Sequence, residues 1–456
     1  MRHGVSLFVW LVFGLMGCSD VQTARTWHVE GGFLRDPDDR IALLRGINLS
    51  SEHKTSPYLG PHKPSDFQRL YSYGFRSIRF LLSWAALEKT KGTINETYLD
   101  EVERRVEWAE QAGLLVVFDM HQDVFGVGFG HNGAPRWVCD EEKYAAHKKV
   151  EPWFLEYLSP PVRACFDKLW TDPELVSSFS KTWGRVAQKF AARRNVIGFD
   201  IINEPSPGTA DTHTFESDRL WPFYERVIEE VRSAAPHWIA FVEPALTRNL
   251  GMPSSLPSMH YKNIVYAPHN YDALAEQGKG FDDSRRAALL MNVQELAMEA
   301  SRMNAALWIG EYGGIANHPG IVEYMDAQYD AVAEVGAASM YWDASFGPGY
   351  GLFEQDGIEK KTLLDALLRP YPIRVSGDSL SYSYDERSGC FSTRYTTEKS
   401  ISVETELFVP RAVYPHGYTV SCSGCVYSAR GDVLVIESPP LESSAHIRIC
   451  PVAVGP

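Results

Sequence analysis

Eight apolar runs of strand-like character alternate with amphipathic stretches between about residues 41 and 369. This alternation constrains the fold more than any other feature. The runs span 41–49, 77–84, 114–121, 196–204, 238–244, 264–271, 306–313 and 339–345. The intervening segments, such as 98–112 and 216–235, carry helical periodicity. Strands apolar on both faces must be covered on both faces, which is the situation of a parallel sheet wrapped by helices. Eight such units predict an α/β fold, a closed (β/α)8 (TIM) barrel. An open doubly wound sheet is the alternative, but it would place a glycine-rich phosphate turn after its first strand. The residues there are Asn48-Leu49-Ser50-Ser51.

The texture changes after Arg369-Pro370-Tyr371-Pro372. Period-two alternation replaces helical periodicity, and turn residues separate the runs, which predicts an appended antiparallel β-sandwich domain. The organisation expected is a signal segment over 1–18, a linker over 19–26, the barrel over 27–369 and the sandwich over 370–456. Arg2 and His3 precede the apolar run 5–16, which is too short for an ordinary membrane span and fits a secretory signal. Leu15-Met16-Gly17-Cys18 resembles a bacterial lipobox, whose cysteine becomes the lipidated first residue; an ordinary cleaved signal is the alternative. The expected location is therefore the cell envelope, by way of a lipid anchor, or the secreted fraction.

Six further cysteines remain: Cys139, Cys165, Cys390, Cys422, Cys425 and Cys450. An even number in an exported chain predicts disulfides formed within each region. Cys139 and Cys165 both fall in the long insertion after the third strand and are expected to pair. Cys422-Ser-Gly-Cys425 reads as structural, because no second such motif or nearby histidine pair accompanies it. The net charge of −14 excludes nucleic acid as a natural partner, since phosphate binding needs a basic footprint.

Polar residues gather at the carboxyl ends of the apolar runs, where barrels of this kind build their sites. Among them are Asn48, Arg79, His121, Asn203, Glu204, Glu243, His269, Tyr271, Glu311 and Trp342. Glu204 ends the fourth run and Glu311 the seventh. Those strands face each other across a barrel, so the two carboxylates can flank one bond. That is the requirement of glycoside hydrolysis, which needs no cofactor or metal.

The motifs Asn203-Glu204-Pro205 and Gly310-Glu311-Tyr312-Gly313 resemble glycoside hydrolase family 5. The resemblance implies a retaining reaction with Glu204 as acid/base and Glu311 as nucleophile. It also implies that Asn203 meets the sugar 2-hydroxyl, that Arg79 and Tyr271 hold the nucleophile ionised, that His269 completes the shell, and that Trp342 stacks beneath the sugar. The segments RGINLSSEHKTSPY, FDMHQDVFG, GAPRWVC, YAPHNYD and FVPRAVYPHGY are similar to the endoglycoceramidase branch. That branch releases an intact oligosaccharide from the ceramide of a glycosphingolipid. Carried over by position, Lys54, His121 and Asp123 would contact the sugar next to the cut. The partners implied are a glycosphingolipid or another amphiphilic glycoside, and a membrane surface reached through the substrate and the anchor. Other readings are a glucosidase for glucosylceramide or a steryl glucoside, a cellulase-like enzyme, and a lipid-anchored glycan-binding protein without catalysis. A ceramide substrate requires an apolar groove beside Glu204, for which Phe125, Val127, Phe129, Trp153, Phe154 and Tyr350 are the expected walls.

Overall fold

The structure, a computed structural model, describes residues 1, 25–49, 51–397, 403–438 and 444–452. Cys18 and its signal segment, like most of the expected linker, lie outside the described residues. The barrel consists of β1 (Gly46–Leu49), β2 (Ser77–Leu82), β3 (Leu115–Met120), β4 (Val196–Asp200), β5 (Ile239–Val242), β6 (Ile264–Tyr266), β7 (Ala306–Tyr312) and β8 (Ala338–Tyr341). Each strand pairs with the next, and β8 pairs with β1, closing the sheet. The pairings of β1 with β2 and of β8 with β1 are parallel, like the rest.

Alternation along each strand decides which side chains reach the centre. Ile78, Phe80 and Leu82 of β2 pack outward with the helices, as do Val116, Phe118 and Met120 of β3. This turns Ser77, Arg79 and Asp119 inward. Below them Val117, Ile197, Phe241, Val265, Trp308 and Met340 fill the barrel interior. The helices between strands are capped by side chains the sequence supplies: Asn95 accepts from the Tyr98 N–H, and Asp172 accepts from the Glu174 N–H.

The run 41–49 is not one strand. Ile41–Ala42 separates from β1 and pairs with Tyr371–Val375. It carries the preceding strands His28–Glu30 and Phe33–Arg35 into a seven-stranded sheet with Thr405–Phe408, Val433–Ser438 and Val426–Arg430. Facing it is a four-stranded sheet of Gly377–Asp385, Cys390–Thr397, Ser444–Pro451 and Tyr418–Ser421. Ile373, Val375, Leu407 and Ile436 from one sheet and Phe391, Tyr395, Ile447 and Ile449 from the other form a common core, which makes the pair a sandwich. It is fixed to the barrel by the Arg45 guanidinium, held 4.0 Å from the Tyr329 ring and 4.2 Å from the Tyr371 ring.

Cys139 and Cys165 are joined, with Cα atoms 5.6 Å apart, tying together the insertion between β3 and β4. Cys390 pairs with Cys450 and Cys422 with Cys425, both within the sandwich.

Candidate active site

At the carboxyl end of the barrel lies a cleft of about 410 Å³, and of the ten side chains to which the family resemblance gives a role, eight line it: Lys54, His121, Asp123, Asn203, Glu204, Tyr271, Glu311 and Trp342. The other two, Arg79 and His269, lie buried against its floor. Arg79 is the centre of the arrangement. Its Nη1 donates to Glu311 Oε1 at 2.6 Å and to Asn48 Oδ1 at 3.0 Å. Its Nη2 donates to Asn203 Oδ1 and Glu243 Oε1, both at 2.9 Å, and its Nε to Asp200 Oδ2 at 2.9 Å. Asp119 adds a fourth carboxylate at 3.1 Å.

Glu311 reaches this guanidinium because β7 is irregular. Leu307 and Ile309 pack outward, so strict alternation would send Glu311 outward too; the register shifts between Ile309 and Tyr312 and re-aims it. Its second oxygen accepts from the Tyr271 hydroxyl at 2.8 Å. The glycines flanking it are there for their neighbours. A Cβ on Gly310 would come within 3.2 Å of the His269 ring, and one on Gly313 within 2.4 Å of the Trp342 carbonyl oxygen.

Glu204 follows β4 with φ of +41°, a conformation side-chain-bearing residues adopt at a cost of about 1 kcal/mol or more. Its N–H is pinned by Glu243 Oε2 at 2.8 Å. Its Oε1 accepts from Asn249 Nδ2 at 2.7 Å and meets His269 Nδ1 at 2.8 Å. His269 Nδ1 is also 3.5 Å from Glu311, and its Nε2 is 3.4 Å from Glu243. Glu204, His269 and Glu311 each place an atom within 4.8 Å of the other two. An oxygen of Glu204 and one of Glu311 are thus within 4.8 Å of each other, close enough for the two carboxylates to act on one bond.

The electrostatics follow from burial. Desolvation alone would strip the proton from His269, but the Glu243 and Glu311 carboxylates outweigh it and hold its pKa well above the ordinary value. Burial pushes Glu311 upward, against the pull of His269 and Arg79. Burial also pushes Asp119 and Asp200 well up, so the floor does not carry four full negative charges around one guanidinium. Glu243 goes the other way: His269 and Arg79 overcome its burial and lower it. The Tyr271 phenol, raised by burial and by Glu311, stays protonated and able to donate. Asp119, Asp200 and Glu243 have the spacing of a cation site, but the Arg79 guanidinium already contacts all three.

One wall is polar. Lys54 Nζ lies 2.8 Å from Asp123 and 4.4 Å from the centre of the Trp342 ring. His121 stacks on Trp342 at 5.3 Å, and its Nδ1 is 2.7 Å from Asp119. Burial first, then Lys54 and Arg79, drive the His121 pKa far down, so it is neutral.

The expected groove walls divide. Trp153 and Tyr350 line the cleft. Phe125 and Phe129 do not; they are buried, packed on Phe166 and Tyr144, because the glycine-rich loop after β3 folds back onto the barrel. Val127 faces a separate groove with Tyr58 and Tyr98. Phe154 is exposed at the surface. Reading the sequence also missed Asn249 on Glu204 and the cleft-lining Glu276; they sit on short helices, Leu246–Leu250 and Ala273–Glu276, in the connections after β5 and β6, too short for a periodic pattern to point to the site.

Glu276 allows a test. Burial, then Glu204 and Glu311, push its carboxyl from 4.5 up to about 7. A raised carboxyl costs the folded state nothing below its unfolded pKa; the penalty grows between 4.5 and about 7 and is complete above that. Glu276→Gln should therefore stabilise the protein by about 1–2 kcal/mol near pH 8, after discounting for solvent screening, and hardly at all near pH 4. Equal changes at both pH values in thermal melts, or destabilisation near pH 8, would show that the group is not strained in this way.

Comparison with known proteins agrees with this geometry. Residues 39–347 match the family model described as cellulase (glycosyl hydrolase family 5), and residues 369–449 match that of the glycoside hydrolase family 5 C-terminal domain. The chain is 28% identical over 423 residues to endoglycoceramidase I of Rhodococcus hoagii (strain 103S), covering 88% of this chain and 82% of that protein. It is 23% identical to the endoglycoceramidase of Cyanea nozakii, covering 90% and 92%. The solved endo-glycoceramidase II from Rhodococcus sp. superposes with a TM-score of 0.82 at 28% identity, over 92% of this chain and 100% of that one. The same enzyme has been solved as a lactosyl-enzyme intermediate and as a ganglioside GM3 complex. With both family models matched and the carboxylate pair placed at the mouth of the barrel, the chain belongs to glycosyl hydrolase family 5 and is a glycoside hydrolase.

Proposed function

We propose that the protein is a retaining endo-glycosidase that cleaves between the sugar chain and ceramide of glycosphingolipids. The observation that carries this reading is the reach of the similarity. Endoglycoceramidase I matches over 88% of the chain, whereas the glucosylceramidase of Aspergillus fumigatus and the ergosteryl-beta-glucosidase of Saccharomyces cerevisiae match 24% and 23%. The cleft supports it, with Lys54, Asp123 and His121 forming a polar wall beside the carboxylate pair and Trp153 and Tyr350 supplying aromatic surface.

Glu311 attacks the anomeric carbon as Glu204 passes its proton to the oxygen leading to ceramide. The glycosidic bond breaks and a glycosyl ester forms on Glu311. Glu204, now a carboxylate, takes a proton from water, whose oxygen bonds to the anomeric carbon as the bond from that carbon to Glu311 breaks. The sugar leaves with its original configuration, and both glutamates are restored. Two donors on Glu311, from Arg79 and Tyr271, fix the attacking carboxylate before substrate arrives.

Incubation with a ganglioside, lactosylceramide, glucosylceramide and a steryl glucoside distinguishes the readings by mass spectrometry of the products. The expected result is intact oligosaccharide plus ceramide. Release of glucose alone from the last two would place the chain with the glucosidases. Glu204→Gln and Glu311→Gln should each lower kcat by at least about 10³-fold without unfolding the protein. Azide should rescue Glu311→Ala with an inverted glycosyl azide and Glu204→Ala with a retained one; the opposite pattern would exchange the two roles.

We further propose that the protein is exported and lipid-anchored through Cys18. This rests on Leu15-Met16-Gly17-Cys18 and on the other six cysteines all being paired, as an oxidising compartment favours. Intact-mass analysis of the mature protein should find an acylated Cys18 at the N-terminus. An unmodified terminus downstream of it would contradict the proposal.

A further inference from the structure

The insertion between β3 and β4 carries an exposed apolar ridge. Over residues 150–158, Val150 is 42% exposed, Trp153 40%, Phe154 41%, Leu155 41% and Leu158 68%. Isolated apolar residues on a surface are ordinary; five within nine positions form a contiguous patch. Four of them belong to one short 3-10 helix, Trp153–Leu158, whose other two residues, Glu156 and Tyr157, are buried.

That buried side is firmly fixed. The Glu156 carboxylate meets His131 Nε2 at 3.2 Å and His147 Nε2 at 2.5 Å. The Tyr157 ring stacks on Phe166 with centroids 6.0 Å apart, and its hydroxyl accepts from Gln122 Nε2 at 3.2 Å. The same Gln122 nitrogen donates to the main-chain oxygens of Asn203 and Glu204, at 2.8 and 3.0 Å. The disulfide Cys139–Cys165 brackets the segment. Turning the apolar side chains inward would expel Glu156 and Tyr157 and break these contacts. The helix is built to hold them outward.

We infer that this ridge is a bilayer-docking surface, which seats the protein on phospholipid beside the mouth of the cleft. Three observations select this occupant. Trp153 belongs to both the ridge and the cleft wall that includes Glu204 and Glu311, so a ligand reaching out of the cleft there meets the ridge. The ridge joins tryptophan and aliphatic side chains to the exposed Lys148 and Lys149, the composition that settles at a lipid headgroup boundary. The leaving group of the reaction proposed above is a two-chain lipid that resides in a bilayer, and the identity of the surface rests on that reading. Because the chain carries a net charge of −14, docking is driven by apolar insertion and does not require anionic lipid.

The test uses flotation with phosphatidylcholine vesicles that contain no glycolipid, comparing the full protein with Phe154→Ser/Leu155→Ser/Leu158→Ser. These three residues lie outside the cleft lining, so both proteins should hydrolyse a soluble aryl lactoside within about twofold of each other, which also checks folding. The wild type should float with the vesicles about tenfold more than the variant, with little loss in about 0.5 M salt. Cleavage of a vesicle-embedded glycosphingolipid should fall about tenfold in the variant and recover in detergent micelles. Equal flotation of the two, or none by the wild type, would overturn the inference. So would light scattering that finds a wild-type dimer made monomeric by the variant, which would assign the ridge to a second copy of this chain. If flotation differs but neither protein cleaves any glycosphingolipid, docking stands and the proposed substrate falls.

Discussion

The Arg79 guanidinium is the interaction on which the rest of the site depends. It has five N–H donors, and each has an acceptor: Asn48, Asp200, Asn203, Glu243 and Glu311. These acceptors come from β1, β4 and β7 and from the segments following β4 and β5. One buried cation therefore fixes the relative placement of half the barrel's strand ends. In a low-dielectric interior such a cluster holds together only as a set. Removing the cation would leave several carboxylates desolvated and unpaired, which is more costly than never having built the pair. The neighbouring acids Asp119 and Asp200 meet the same constraint by being pushed toward the protonated form.

His269 extends this cluster to the Glu204 carboxylate. It touches Glu204 and lies within 3.5 Å of both Glu243 and Glu311. Glu243 in turn binds Arg79 and the Glu204 N–H. Glu204 and Glu311 are thus held by one continuous polar network, and their separation is a property of the scaffold rather than of two independent loops. The positive φ of Glu204 fits this picture: a conformation that costs energy locally persists because its neighbours fix it.

Much of this was legible in the sequence. Strand bodies are apolar because they pack, and the polar residues that interrupt them at the carboxyl ends converge because the barrel closes. That logic located Glu204, Glu311, Arg79 and His269 without any knowledge of their contacts. It failed where geometry is non-local. The pairing of Ile41–Ala42 with Tyr371–Val375 joins segments more than three hundred residues apart, and nothing in the local pattern of 41–49 announces the break. The inward turn of Glu311 depends on an irregular register that alternation alone would deny. Phe125 and Phe129 look like groove walls in a glycine-rich loop, yet that loop's flexibility of backbone lets it fold back and bury them. Asn249 and Glu276 carry no signal at all, since each sits on a helix of one turn or so and is placed by the path of the connection that carries it.

In the proposed reaction Glu311, held by Arg79 and Tyr271, forms a covalent bond to the sugar. Inactivation by a 2-deoxy-2-fluoro-glycosyl fluoride, which slows hydrolysis of the ester more than its formation, followed by peptide mass spectrometry tests this directly. Stoichiometric labelling of the peptide that contains Glu311, at the Glu311 side chain, is the expected result. A label on Glu204, or turnover of natural substrate with no covalent ester formed under any condition, would contradict it.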